Sequence, residues 1–409
     1  MRKIVMSGVV ALAAVLGGAI PAATASAAVR PTAANAATLP STVRPLASIE
    51  GAAYFLGDRI SCGSATTCLA VGANLNSSSE TPTAEALSGS KWKSVPVRLP
   101  KGADGAGLTG VSCKAATYCL VLGEYSTSAG ATLGFALTWN GSALTPVAAP
   151  PLPAGGLMAL NAISCAAVKS CVVVGTSVGT NGTTIDTFAD TWNGSKWTQV
   201  KTATNAVVLD QYTAMHCFSS KDCVAAGTAY SATGASTVRV ATWNGKTWTA
   251  EKAVTPAGQN IIVGDLSCGS AKSCTLVGMS LNNAATSAFG FLEVWNGKTW
   301  SEVKWTGAKG DTLTDVIGVS CTSATNCMAV GAAGTSKSGV AAALSWNGKK
   351  WTALGVPAPA KGDSSDFEGV SCPKAGDCVA IGQVGKSGGT TSSPIAGYWN
   401  GKSWKLAAA

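Results

Sequence analysis

Fourteen cysteines fall into seven couples with one spacing, Cys-x5-Cys: Cys62 with Cys68, Cys113 with Cys119, Cys165 with Cys171, Cys217 with Cys223, Cys268 with Cys274, Cys321 with Cys327 and Cys372 with Cys378. Successive couples stand 51 to 53 residues apart. A period of that length marks a propeller or a solenoid, in which each unit completes its core only against its neighbours. Two residues before each first cysteine stands an apolar residue, from Ile60 and Val111 to Val370, and four residues after each second cysteine stands a glycine, from Gly72 to Gly382. Further along each copy comes a Trp-Asn-Gly turn followed by a second tryptophan, as in Trp192-Asn193-Gly194 with Trp197 and Trp243-Asn244-Gly245 with Trp248. Copy one has Leu87-Ser88-Gly89 instead, before Trp92, and copy two has Leu144 in the second aromatic slot.

Each copy reads as four short antiparallel strands. Strand A ends at the first cysteine. Strand B, as in Cys171-Val172-Val173-Val174-Gly175, is apolar throughout and reads as buried on both faces. Strand C ends at Trp-Asn-Gly, where Asn-Gly predicts a type I′ hairpin with two positive φ values. Strand D carries the second tryptophan. The fold class expected is all-β, a seven-bladed β-propeller with four antiparallel strands and one intra-blade disulfide per blade. A bridge between residues six apart suits a tight A–B hairpin, and the loop-entropy relation assigns about 2.4 kcal/mol to so short a ring. Zinc is the rival use of the cysteines, but the spacing is wrong and the one histidine, His216, cannot complete seven sites. No metal and no cofactor is expected. The tryptophans read as packing between blades.

Residues 1–27 read as a signal peptide, with Arg2-Lys3, an apolar run and Ala25-Ser26-Ala27. Residues 28–50, rich in Ala, Thr and Pro, read as a flexible leader. Residues 51–409 hold the propeller repeats. No later segment is long and apolar enough for a membrane span, so the chain is expected to be secreted and extracellular, which suits disulfides. The formal charge of +9 falls to +7 without Arg2 and Lys3. In an exported chain that points to anionic surfaces rather than nucleic acid.

The unit Ser-Cys-x5-Cys-x-Ala-Val-Gly … Trp-Asn-Gly-x-x-Trp resembles tandem repeats of secreted propeller proteins of high-GC Gram-positive bacteria, mostly uncharacterised, over residues 57–409. The resemblance implies architecture and little about activity. Gly245-Lys246-Thr247-Trp248 and Gly297-Lys298-Thr299-Trp300 partly echo the sialidase Asp-box, but the box's Asp is missing. After the leader only Arg59, Arg98 and Arg239 remain for the arginine triad that family requires.

The A–B and C–D turns should share one face and look structural; the B–C and D–A loops vary and should share the other, the better place for binding. Four residues before each first cysteine, near the channel mouth, stand Asp58, Thr109, Asn161, Thr213, Gly264, Ile317 and Glu368. Of these Asp58, Thr109, Asn161, Thr213 and Glu368, with Asp366 nearby, are the ligand-binding candidates. If copies one and seven meet at closure, Asp58 and Glu368 face each other as solvated rim charges, as oxygen ligands for a cation or polar ligand, or as a hydrolase acid/base pair. His216 takes the slot that serine fills in the other copies. Lysines recur after the Asn-Gly turns (Lys196, Lys246, Lys298, Lys349, Lys402) as solvated turn residues or as contacts for an anionic polymer. Few carboxylates and a symmetric framework favour a non-enzymatic recognition module, lectin-like, binding surface or matrix glycans. A protein-interaction scaffold is the alternative, and a hydrolase or lyase at the channel mouth is the third reading. The expected partners are glycans or other extracellular proteins. Ring closure is open between a self-contained seventh copy and an added strand from Val43 to Ile49.

Overall fold

The computed structural model describes residues 55–75, 80–151, 157–178, 185–200, 209–231, 235–256, 260–282, 288–306, 313–335, 338–387 and 392–408. The expected signal peptide, the leader and the segment Val43 to Ile49 lie outside these residues. Seven four-stranded antiparallel units follow one another, and no helix occurs among the described residues. In blade 4 the strands, from inside out, are Leu209–Ser219 (A), Asp222–Tyr230 (B), Ser236–Trp243 (C) and Trp248–Glu251 (D). The other six repeat this order. Two additions join it: Thr132 of blade 2 bridges in parallel to Leu157 of blade 3, and Trp305–Thr306 lies parallel beside strand D of blade 6.

One transverse row explains the repeat. In blade 4, Cys217 is paired with Cys223, Cys223 with Trp243, and Trp243 with Trp248, so a disulfide and a tryptophan pair cross all four strands side by side. The same row recurs in blades 3, 5 and 6. All seven disulfides form inside their own blades, as the spacing predicts. Cys62 is bonded to Cys68, Cys113 to Cys119, Cys165 to Cys171, Cys217 to Cys223, Cys268 to Cys274, Cys321 to Cys327 and Cys372 to Cys378. Their Cα separations of 3.9 to 4.1 Å are those of directly opposed residues in an antiparallel pair. The indole N–H groups of Trp139, Trp243 and Trp346 donate to the A–B turn carbonyls of Ala116, Ser220 and Ala324 at 3.0 to 3.2 Å, tying the C–D end to the A–B end in blades 2, 4 and 6. None of the thirteen tryptophans is exposed.

The Asn-Gly turn departs from expectation. Among the described residues Lys169 is the only non-glycine with positive φ, so Asn244 and its counterparts are not in the left-handed region and the turn is not type I′. The asparagine side chain is the reason. Asn244 Oδ1 accepts the N–H groups of Lys246 and Thr247, both at 2.9 Å, which opens the turn to four residues between the paired Trp243 and Trp248. Only Gly245, at φ 87°, then needs the left-handed conformation.

The glycine after each second cysteine answers to a bulge. In blade 4 Tyr212 pairs with Gly227 and Ala214 with Ala226, so Thr213 is the extra residue on strand A. The bulge brings backbone over the facing strand: a Cβ on Gly227 would stand 1.8 Å from the Gln211 carbonyl oxygen. No side chain fits there. Registers shift at the same place in the other blades, leaving out Thr109, Asn161, Gly264, Ile317 and Glu368. In blade 1 the shift falls between Leu56 and Arg59.

The core lies between blades. Each of seven buried clusters draws from two adjacent blades, the last joining Cys68, Leu87 and Trp92 of blade 1 to Val379, Ile381 and Ala396 of blade 7. Every cluster also holds the second cysteine of one disulfide: Cys119, Cys223, Cys274, Cys171, Cys378 and Cys327 occupy the other six as Cys68 occupies the last. All seven of these sulfurs are buried. The bridges are therefore core groups that staple the blade and pack against its neighbour, and they form no part of a ligand site. Among the described residues blade 7 is built from its own four strands, ending at Trp404–Ala408, and the added strand expected as the alternative, Val43 to Ile49, lies outside them.

A second link runs around the circle. The residue before each first cysteine accepts the backbone N–H of the next blade's first cysteine: Ser61 from Cys113, Ser112 from Cys165, Ser164 from Cys217, Ser267 from Cys321 and Ser320 from Cys372, all at 2.9 Å. Ser371 closes the set by accepting from Cys62 at 3.0 Å. In blade 4 the acceptor is His216 Nδ1, 3.4 Å from the Cys268 nitrogen.

Candidate functional site

The innermost strands converge on a cavity of about 100 Å³ at the propeller axis. Its polar walls come from Arg59 of blade 1, Thr213 of blade 4, Asp265 of blade 5 and Glu368 of blade 7. Its apolar wall is built by the residues two before each first cysteine, among them Ile60, Val111, Ile163, Met215 and Val370. The backbone arrangement follows from the bulge, which turns the extra residue out of the ladder, and from small residues one position on. Those are Gly110, Ala162, Ala214, Gly318 and Gly369 in five blades and Arg59 and Asp265 in two. Small side chains let the strands crowd together: a Cβ on Gly318 would stand 3.1 Å from Gly369 Cα.

Asp265 is held firmly. Its Oδ2 accepts the Val319 N–H of blade 6 at 3.0 Å and its Oδ1 accepts its neighbour Leu266 N–H at 2.8 Å. Burial pushes this carboxyl up, while the positive charge of Arg59 and those two N–H donors pull it back. Glu368 accepts a hydrogen bond from Gln383 Nε2. The group is thus one cation and two acids around a space far below the few hundred Å³ of ordinary ligand pockets. It has room for water or a small ion, not for a sugar ring.

The candidates read from the sequence are dispersed. Thr213 and Glu368 line the cavity. The Thr213 hydroxyl donates to the Val263 carbonyl of blade 5 at 3.0 Å and so links two blades. Asn161 Nδ2 donates to Thr176 Oγ1 at 3.4 Å inside blade 3. Thr109 is half-buried with its hydroxyl oxygen enclosed, and it does not line the cavity. Asp366 accepts the Gln383 backbone N–H at 3.1 Å, and its charge helps to raise Asp315 of blade 6 to about 7, after burial as the main cause. The side chain of Asp58, and with it the expected meeting with Glu368, lies outside the described residues. Arg59 and Asp265 were missed. Aligning the seven copies at one slot, where small residues give way twice to a charge, is the signal that finds them.

A second hollow, of about 330 Å³, opens between blades 1 and 2. Val95, Pro96 and Arg98 of the blade 1 to blade 2 linker form one side; Ser142, Leu144 and Pro146 form the other. Leu144 stands where other blades place their second tryptophan. In blade 3 that residue, Trp197, reaches the preceding linker and donates to Ala148 O at 2.7 Å. The smaller leucine leaves that space open.

These features define a seven-bladed β-propeller with one disulfide inside each blade. Solved structures similar in fold include YCF48 bound to D1 peptide (12% identity, TM-score 0.50, covering 87% of this chain and 93% of that one). A polysaccharide lyase of family PL25, an ulvan lyase, aligns at 10% identity and TM-score 0.52, over 89% and 94%. A protein of unknown function from Dyadobacter fermentans aligns at 10% and 0.50, over 87% and 98%. At such identities the likeness is one of fold alone. No family model matches the sequence, and no curated protein does.

Proposed function

We propose that the chain is an exported, non-enzymatic recognition module that binds surface or matrix glycans in a lectin-like manner through the face of B–C and D–A loops. The observation that carries the reading is where the copies agree and differ. The repeated cysteines, tryptophans, asparagines, glycines and serines are taken up in framework contacts. The loops of the opposite face differ from copy to copy in sequence, and the B–C loops also in length, with four residues between Thr127 and Thr132 but two between Thr335 and Ser338, and a rigid scaffold carrying variable loops is a common way to build a binding face. The small axial cavity supports placing a glycan outside the channel. The near-equal blades repeat the scaffold around the ring, and engaging more than one set of loops would add avidity. Export is supported by the signal-like residues 1–27 and by seven disulfides, which persist in oxidising compartments. No helix among the described residues is long and apolar enough to cross a membrane.

The second reading, a protein-interaction scaffold, is favoured by the hollow beside Arg98 and Leu144, which lies within the size range of ligand pockets. A glycan array and a pull-down with the secreted protein, run side by side, separate the two. Saturable binding to defined glycans without turnover supports the lectin-like reading. A stable protein partner whose capture is lost in Arg98→Glu, with no glycan bound, replaces it with the scaffold. Turnover of a polysaccharide that is lost in Asp58→Asn or Glu368→Gln would replace both with a hydrolase or lyase.

A further inference from the structure

The face opposite those loops is strongly one-signed. The transverse row of each blade puts its A–B and C–D turns at the same end, so all fourteen turns share that face. They bring twelve lysines to it: Lys114, Lys169, Lys221, Lys272 and Lys374 from A–B turns, and Lys91, Lys196, Lys246, Lys298, Lys349, Lys350 and Lys402 from C–D turns. Every one is exposed. Their carboxylate company is Asp222 and Asp377, and Asp377 is engaged by Lys374 at 3.0 Å. Twelve against two is an excess of ten positive charges, whereas the whole chain carries +9. The rest of the protein is therefore slightly acidic. The basic character belongs to one face.

Blades 3, 4 and 5 add a specific arrangement. In each, the stem of the A–B lysine lies across the Asn-Gly turn of the same blade, in the space that a side chain on the glycine would fill. A Cβ on Gly194 would stand 2.6 Å from Lys169 Cβ, one on Gly245 2.7 Å from Lys221 Cβ, and one on Gly297 3.1 Å from Lys272 Cβ. The A–B lysine stem is thereby held against the turn that bears the second lysine. Lys169 shares its turn surface with Lys196, Lys221 with Lys246 and Lys272 with Lys298. Like charges so placed repel, and no ion pair among the described residues neutralises these six. An anion would.

We infer that the turn face of this propeller, centred on the lysine pairs of blades 3 to 5, is a docking surface for a linear acidic polysaccharide, a chain of sugars bearing regularly spaced carboxylates. Lysine ammonium groups are compact, strongly hydrated charges without the fork geometry that reads a phosphate bidentately, and the face carries no arginine. Stacking platforms for bases are missing, because every tryptophan is buried or half-buried in the framework. An apolar belt for a lipid surface is missing too. Of the exposed large apolar residues Leu99, Val168 and Phe289, only Val168 lies in these turns. What remains is an array of spaced cations, which matches a polymer of spaced anions and needs no other chemistry.

The surface is independent of the loop face, so either reading can fail alone. The test is binding of the secreted protein to polygalacturonate, with fully methyl-esterified polygalacturonate, single-stranded DNA and phosphatidylglycerol vesicles as comparisons. The expected result is binding to the acid polymer but not to its ester, weakening on the order of a hundredfold or more between 50 and 200 mM salt. The sixfold variant K169Q/K196Q/K221Q/K246Q/K272Q/K298Q should lose about a hundredfold in affinity and most of the salt slope. The six corresponding Lys→Arg changes should retain binding, and K101Q/K361Q on the other face should not alter it. A Gln variant with an unchanged melting temperature and unchanged affinity would overturn the proposal. So would equal binding of the ester, or tighter binding of DNA or vesicles than of the acid polymer.

Discussion

His216 and Glu124 show how single residues hold neighbouring blades together and how pH acts on the joints. His216 accepts the Cys268 N–H through Nδ1, which requires the neutral ring. Burial, helped by the nearby Lys114 charge, lowers its pKa to about 4 from the ordinary 6.5. A folded-state pKa below the unfolded one means that the native state binds fewer protons, so this joint loses stability as pH falls from about 6.5 towards 4. His216→Ser restores the acceptor found in the other six blades. It should match the parent at pH 8 and exceed it by about 1–2 kcal/mol at pH 4, measured by urea unfolding. Glu124 works in the opposite direction. Its Oε1 accepts the Leu160 N–H of blade 3 at 2.6 Å, and burial is the main reason its pKa rises to about 8. This contribution is intact at acid pH and fades as pH climbs through 8. Glu124→Gln keeps the acceptor and removes the titration, so the variant should be the more stable protein at pH 9, by about 1–3 kcal/mol, and near-equal at pH 5. A thermal-melt series across pH reads both effects.

Within an element, the row of two cysteines and two tryptophans was legible from spacing because covalent and aromatic constraints repeat at fixed offsets. The bulge was not. Nothing in Thr109, Thr213 or Glu368 marks an unpaired residue. The clue is indirect, in the glycine that faces it across strand B. The Asn-Gly turn was misjudged for a related reason: the dipeptide has a backbone preference, but the asparagine side chain, by accepting two N–H groups, supplies a competing solution. Two changes test the row. Replacing Cys217 and Cys223 together by alanine should cost about 2 kcal/mol or more in denaturant unfolding under oxidising conditions, and under strong reduction only the smaller cost of the two buried sulfurs removed. Leu144→Trp should fill the hollow beside Pro96 and raise stability by about 0.5–2 kcal/mol. A crystal structure of that variant should show the indole against the blade 1 linker, and a lower melting temperature would count against the assignment of that space.

On the scale of the whole molecule, the polar candidates were only partly legible. The slot four before each first cysteine is a real structural position, yet what shares a space there depends on how seven strands tilt around an axis. Hence Thr213 and Glu368 meet Arg59 and Asp265, while Asn161 and Asp366 turn to their own or neighbouring sheets. The segregation of lysines was half visible. Those after the Asn-Gly turns repeat in the sequence, but their partnership with Lys169, Lys221 and Lys272 appears only once the turns are brought to one face. Acidity also acts globally. Asp190 and Asp315 are raised to about 7 and Glu293 to about 8, in each case chiefly by burial. The ring as a whole should therefore loosen in mildly alkaline solution, with its midpoint in urea dropping from pH 6 to pH 9.

The seam between blade 7 and blade 1 is built like the other joints, with a shared apolar cluster and the serine acceptor for a cysteine N–H that every joint but the one from blade 4 to blade 5 uses. The wheel therefore has no privileged starting point. Joining Ala408 to Phe55 by a linker as long as Val95–Gly102 and cutting between Val200 and Leu209 should yield a protein that folds into the same wheel, with its ends moved to the gap between blades 3 and 4. Duplicating or losing one blade would be another matter, since the cluster of acids and arginine at the hub fixes which blades must look at each other across it.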